Sequence, residues 1–154
     1  MSGNLDDFLR QEGERKQKDE AAQRTEMSDH SRFRYAFRDA LKDIIHPTMM
    51  DKMEALRQNG HFGKKVREKV RMEYLYERYL IIATGIPMQA EIWVIANHRL
   101  HKVCMVTEFF SLAEGSGNRT SFKRSETQHQ LSEVTPIFLD TLVVNLIREL
   151  LASG

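Results

Sequence analysis

Residues 10–26 contain no Val, Ile, Leu, Met or aromatic residue, whereas from Phe33 onward such residues recur at the spacing of one helix face. The polar stretch, RQEGERKQKDEAAQRTE, is rich in good helix formers. It has no apolar stripe that could hold a helix against a core, so it is expected to be a disordered or transiently helical tether. Ahead of it, NLDDFL places Leu5, Phe8 and Leu9 together at helical spacing, a short apolar hook at the end of that tether. Such a hook can fold onto a partner as an amphipathic helix, and these three residues are the candidate partner-binding residues.

Phe33, Phe37, Leu41 and Ile44 follow at i, i+4, i+8 and i+11, which predicts an amphipathic helix capped at Ser28, Asp29 or Ser31. Pro47 is expected to end or kink it. A second helix, PTMMDKMEALRQ, then carries Met49, Met50, Met53 and Leu56 on one side, with Asn59 and Gly60 as its stop. From residue 64 the period changes to two. Val66, Val70 and Tyr74 would allow a helix, but Val66, Val70, Met72, Tyr74 and Tyr76 alternate with charged residues and YLIIATG is β-branched and aromatic, so a single long strand is expected. AEIWVIA and HKVCMVTEFF predict two more strands, and SFKRSETQ a polar edge strand after the loop AEGSGNRT.

The last element, TPIFLDTLVVNLIRELLASG, opens on Thr135 as cap and Pro136 in the first turn. It is apolar almost all round, more than one sheet face can cover, so contact with another helix or with a second subunit is expected. The fold class that follows is α+β, a two-layer sandwich whose antiparallel meander sheet of three to four strands is packed by N-terminal and C-terminal helices. The expected organisation is a polar N-terminal tail, residues 1–30, and a single α+β domain, residues 31–154.

Composition changes this picture little. The 154 residues are 41% hydrophobic and 29% charged, with net charge +1, the profile of a soluble globular domain. The charge is unevenly laid out. Residues 1–30 hold five Lys/Arg against eight Asp/Glu, and the rest of the chain holds eighteen against fourteen. No apolar run approaches the ~18 residues of a membrane span, and the first residues lack a secretory pattern. With one cysteine, Cys104, a cytoplasmic location is expected.

Chemistry is sparse. VIANHRLHKVCMV, residues 94–106, spaces His98, His101 and Cys104 evenly by three. On a strand His98 and Cys104 would stand about 20 Å apart, so this is expected to be a hairpin with an exposed His98 tip and a buried Cys104, and no metal site or Cys–His nucleophile is assigned. Glu73, Glu77, Glu91 and Glu108 are expected on a solvated sheet face. Phosphate-binding, dinucleotide, nucleophile-elbow and zinc-protease motifs are absent. No catalytic residue and no cofactor is therefore assigned, and the reading leans away from an enzyme.

The leading expectation is a non-enzymatic protein-interaction module such as an adaptor, chaperone or assembly factor. It would be a homo-oligomer through its C-terminal helix and bind another protein by an open sheet face or the N-terminal tail, with no membrane partner. The alternative is a single-stranded nucleic-acid-binding protein. It would use Lys64, Lys65, Arg67, Lys69, Arg71, Tyr74, Tyr76, Arg119, Lys123 and Arg124, basic side chains for phosphate and tyrosines for base stacking.

Overall fold

The computed structural model describes residues 3–66, 76–113 and 117–153. Helix α1 (Gly3–Ala40) runs through a π-helical turn (Leu41–Ile45) into α2 (His46–Gln58). Five strands follow: β1 (Phe62–Lys65), β2 (Tyr76–Ile82), β3 (Met88–Asn97), β4 (Lys102–Leu112) and β5 (Arg119–His129). A 3-10 turn (Leu131–Glu133) then leads to α3 (Pro136–Ala152). The sheet is an antiparallel meander in which each strand pairs with its sequence neighbours.

The fold is α+β as expected, with five strands where three to four were expected. The difference lies in the segment read as one long strand. Lys65 stands opposite Tyr79 and Phe62 opposite Ile82, so the chain reverses between β1 and β2. Alternation has the same period on both arms of a hairpin, and no Gly or Pro falls between Lys64 and Thr84 to mark the reversal. Residues 67–75, which carry most of the alternation, lie outside the described residues.

Helix α1 also departs from expectation. It does not begin at the caps near Ser31 but continues back to Gly3, and from Asn4 to Arg24 its side chains are exposed apart from half-buried Glu12. Ion pairs one turn apart, such as Arg15–Glu12 at 3.4 Å and Arg24–Glu20 at 3.8 Å, line the polar stretch. They supplement its intrinsic propensity. Core contact starts at Phe33 and Phe37.

Pro47 does not stop the helix. The π turn lies immediately before it, with the His46 N–H donating to the Leu41 carbonyl. That wider turn loosens the ladder where the proline ring would otherwise meet the carbonyl four residues earlier. The α2 face of Met49, Met53 and Leu56 is buried as its spacing predicts. It approaches β1 at Gly63, where an added Cβ would lie 2.7 Å from Met53 Sδ and 3.1 Å from Leu56 Cδ1.

One hydrophobic cluster joins the helices to one sheet face. Phe33, Phe37, Ile45 and Met53 meet Tyr79, Ile81, Ile92, Val94, Met105 and Phe109, and α3 adds Leu139, Val143, Leu146 and Leu150. The strand members are alternate residues in register with one another. The intervening side chains form an outer face directed away from the cluster. At the start of α3, Thr135 Oγ1 accepts the Phe138 N–H at 3.2 Å, as the Thr-Pro pair predicts.

Candidate docking site on the outer sheet face

Alternation along β2, β3 and β4 places Tyr76, Arg78, Glu91, Trp93, Val106, Glu108 and Phe110 on the outer face. At its centre Glu91 is only 1% exposed. Arg78 grips it with two hydrogen bonds, Nε to Oε2 at 3.0 Å and Nη2 to Oε1 at 2.6 Å, and Arg119 Nη1 reaches Oε1 at 2.8 Å. Burial alone would push the Glu91 carboxyl up, but hydrogen bonds and charge from the two arginines outweigh it and hold the group below the usual carboxylate range. They also offset Glu108, which stands directly opposite Glu91 across β3 and β4.

Each arginine lies against an aromatic ring. The Arg78 guanidinium is 4.7 Å from the Trp93 ring centre and that of Arg119 is 4.0 Å from Phe110. Tyr76 stacks on Trp93 with centroids 5.7 Å apart. The outcome is a ribbon of Tyr, Trp, Phe and Arg side chains running from β2 to β5 and anchored on one carboxylate. Beside it Cys104 is buried and its thiol donates to Glu126 Oε1 at 3.3 Å. Burial, then the Glu126 contact, pushes that thiol up, with Gln128 and Arg124 partly opposing. It is thus not activated as a nucleophile.

The helix-side face holds a second polar cluster. Lys65 Nζ lies 3.0 Å from Glu77 Oε1 and 3.4 Å from His46 Nδ1, and the Tyr79 hydroxyl donates to the other Glu77 oxygen. Burial first, then the Glu77 hydrogen bond and charge, pushes the Tyr79 phenol up. These contacts satisfy a carboxylate that would otherwise be stranded beneath the helices.

The hairpin that spaces His98, His101 and Cys104 has its strands joined by residues 98–101, with Asn97 paired to Lys102. His98 is not an exposed tip. It is half-buried, its ring 6.1 Å from Phe33, because α1 passes over the turn. His101 adopts φ 51°, and its Nε2 meets His30 Nδ1 of α1 at 2.7 Å. Burial, followed by the charges of Arg34, His30 and His101, holds the His98 imidazole below its ordinary value. Among the described residues no three His, Cys, Asp or Glu side chains gather as a metal would need.

The remaining site residues divide among different surfaces. Leu5, Phe8 and Leu9 are exposed near the start of α1. Of the nucleic-acid set, Lys65 and Lys123 point to the helix side, where Lys123 pairs with Glu149. Tyr76, Arg119 and Arg124 belong to the outer face, and Arg124 lies 3.7 Å from Glu126. Lys64 is exposed with its ammonium 6.0 Å from the Phe62 ring. Arg67, Lys69, Arg71 and Tyr74, like Glu73, lie outside the described residues. The three described carboxylates do not form one solvated face: Glu91 and Glu108 are on the outer side, Glu77 on the helix side, and both Glu77 and Glu91 are buried.

Arg78, Trp93 and Phe110 are the outer-face residues that sequence reading missed. One signal was present. Glu91 sits in AEIWVIA, apolar at both parities, so either face it chose would bury it and demand a cationic partner. Comparison with protein-family models, curated proteins and solved structures found no match. No helix among the described residues is long and apolar enough to cross a membrane.

Proposed function

We propose that the protein is a non-enzymatic interaction module, a two-layer α+β domain that docks a protein segment on its open sheet face and works as a homo-oligomer. The observation that carries this reading is the partly exposed array of Tyr76, Arg78, Trp93 and Arg119 around buried Glu91, seated on a buried Phe110. Trp, Tyr and Arg are the side chains that dominate binding energy at protein interfaces, and here they are held in place before a partner arrives. A third of the Arg119 side chain remains exposed while Nη1 is fixed on Glu91. This favours a partner segment with apolar side chains and at least one carboxylate.

Single-stranded nucleic acid has less support. The described basic residues split between the two faces, and on the outer face three of the five, Arg78, Arg119 and Arg124, are already paired with Glu91 or Glu126, which leaves Lys64 and Lys102 apart at different strands. Phosphate binding requires an excess of positive charge along one surface.

The test is selection of a random peptide library on the immobilised full chain, followed by affinity measurement on Trp93→Ala and Arg119→Glu. Bound peptides should lose about 30-fold or more on Trp93→Ala, the scale of an interface hot spot. Peptides that bind both variants as tightly as the parent would contradict the reading. So would steeply salt-dependent binding of oligonucleotides in their place.

A further inference from the structure

The outer edge of α3 and the tip of α1 are both apolar and both uncovered. On α3, Ile137, Val144 and Leu151 recur every seven residues and are exposed, Ile137 at 80%. Val144 lines a groove of about 360 Å³ between α2 and α3, floored by Leu56, Val143 and Ile147, and Ile137 and Leu151 continue that helix edge two turns to either side. Its rim is basic. Lys52 there pairs with Asp140 at 2.5 Å, while Arg148 has no acidic partner among the described residues. The over-apolar character of the last helix is therefore only partly absorbed within the chain.

At the other site, Leu5, Phe8 and Leu9 share one face of α1 with Glu12, and Asp6 and Asp7 flank them. Asp7 pairs with Arg10 and Glu12 with Arg15 within α1, which leaves Asp6 as the hook's carboxylate to complement a groove that is apolar with a spare arginine. The same sign relationship holds more broadly, since residues 1–30 carry an acidic excess and the rest of the chain a basic one. The hook does not reach its own groove as folded. The 24 residues of continuous helix from Leu9 to Phe33 hold it roughly 36 Å from the first core contact.

We infer that the α1 hook of one copy seats in the α2–α3 groove of a second copy, and that reciprocal exchange of the two hooks closes a dimer. Two symmetric hook–groove contacts bury on the order of 1,000 Å² in total, the lower bound for a specific interface. Exchange in both directions uses up both apolar surfaces and leaves none to propagate a chain of copies. This rests on the oligomer in the reading above and not on its sheet face, so either can fail alone.

The experiment is light scattering behind size exclusion on the full chain, with exposed positions substituted and helicity checked by circular dichroism. The full chain should run as a dimer. Phe8→Asp and Val144→Asp should each weaken it by about 100-fold, and Phe122→Asp, at an exposed β5 position that lines neither the hook nor the groove, should leave it unchanged. A monomeric full chain overturns both the exchange and the oligomer. A dimer broken by Val144→Asp but not by Phe8→Asp means that α3 pairs with itself and overturns the exchange alone. A dimer indifferent to both, or broken equally by Phe122→Asp, overturns it too.

Discussion

Arg78 reaches diagonally across two strands to Glu91, closing hydrogen bonds of 3.0 and 2.6 Å onto both carboxylate oxygens. Its own direct cross-strand partner, Trp93, lies under its guanidinium. The pair therefore ties charge, aromatic surface and sheet register into one unit.

Removing the carboxylate should be costly. Glu91→Ala removes the buried anion shared by the Arg78 and Arg119 guanidinium groups, and the loss is expected to be about 3 kcal/mol in urea unfolding at neutral pH. Glu91→Gln keeps the shape and should cost less. Because the folded Glu91 carboxyl sits below its ordinary value, its stabilising contribution is present above the unfolded carboxylate pKa. That contribution is lost as pH falls through the lowered, folded value. The gap between wild type and Glu91→Gln should close over that acid window, and a gap unchanged down to the acid limit would be inconsistent.

His98 gives a second pH dependence, at milder acidity. Its imidazole is held below the ordinary value by burial and by Arg34, His30 and His101. The folded state therefore binds fewer protons than the unfolded state between the lowered value and about 6.5. Stability should fall as pH drops through that window. His98→Leu should flatten this part of a melting-temperature profile, while a profile identical to wild type would argue against the contact with Phe33.

Gly63→Ala should destabilise the fold by about 1–3 kcal/mol, the range for overpacking a filled site. The added methyl meets the Met53 side chain and, at 3.3 Å, its Cα, so the α2 backbone itself must shift. Thermal unfolding measures this directly, and Met53→Ala should recover part of the loss in the double variant.

Cys104 should react slowly with an aromatic disulfide reagent in the folded protein. Its thiol is buried and pushed up, and it donates a hydrogen bond to Glu126. Full, fast reaction at neutral pH should appear only in denaturant. Fast labelling of the native chain would contradict the packing of the outer face.

What the sequence revealed and what it hid follow from the range of the forces involved. The helix face of Phe33 and Phe37, the Thr135 cap and the hairpin around residues 98–101 rest on neighbours within a turn or two, and each was legible. The β1–β2 reversal was not, because alternation has no direction. The continuous α1 was missed because a solvated helix needs no apolar stripe to be drawn by propensity and ion pairs. Glu91 draws its partners from 13 and 28 residues away, and His98 meets Phe33 across the fold. Such pairings are set by strand order and helix path, which single-chain periodicity does not encode.

The most direct test of the docking face uses the chain's single tryptophan, which lies within that face. Full-length protein is titrated with a selected peptide while Trp93 emission and acrylamide quenching are followed. The account predicts a saturating emission shift and reduced quenching, with a midpoint equal to the affinity measured independently. Saturable binding that leaves Trp93 emission and quenching unchanged would place the partner elsewhere and contradict it.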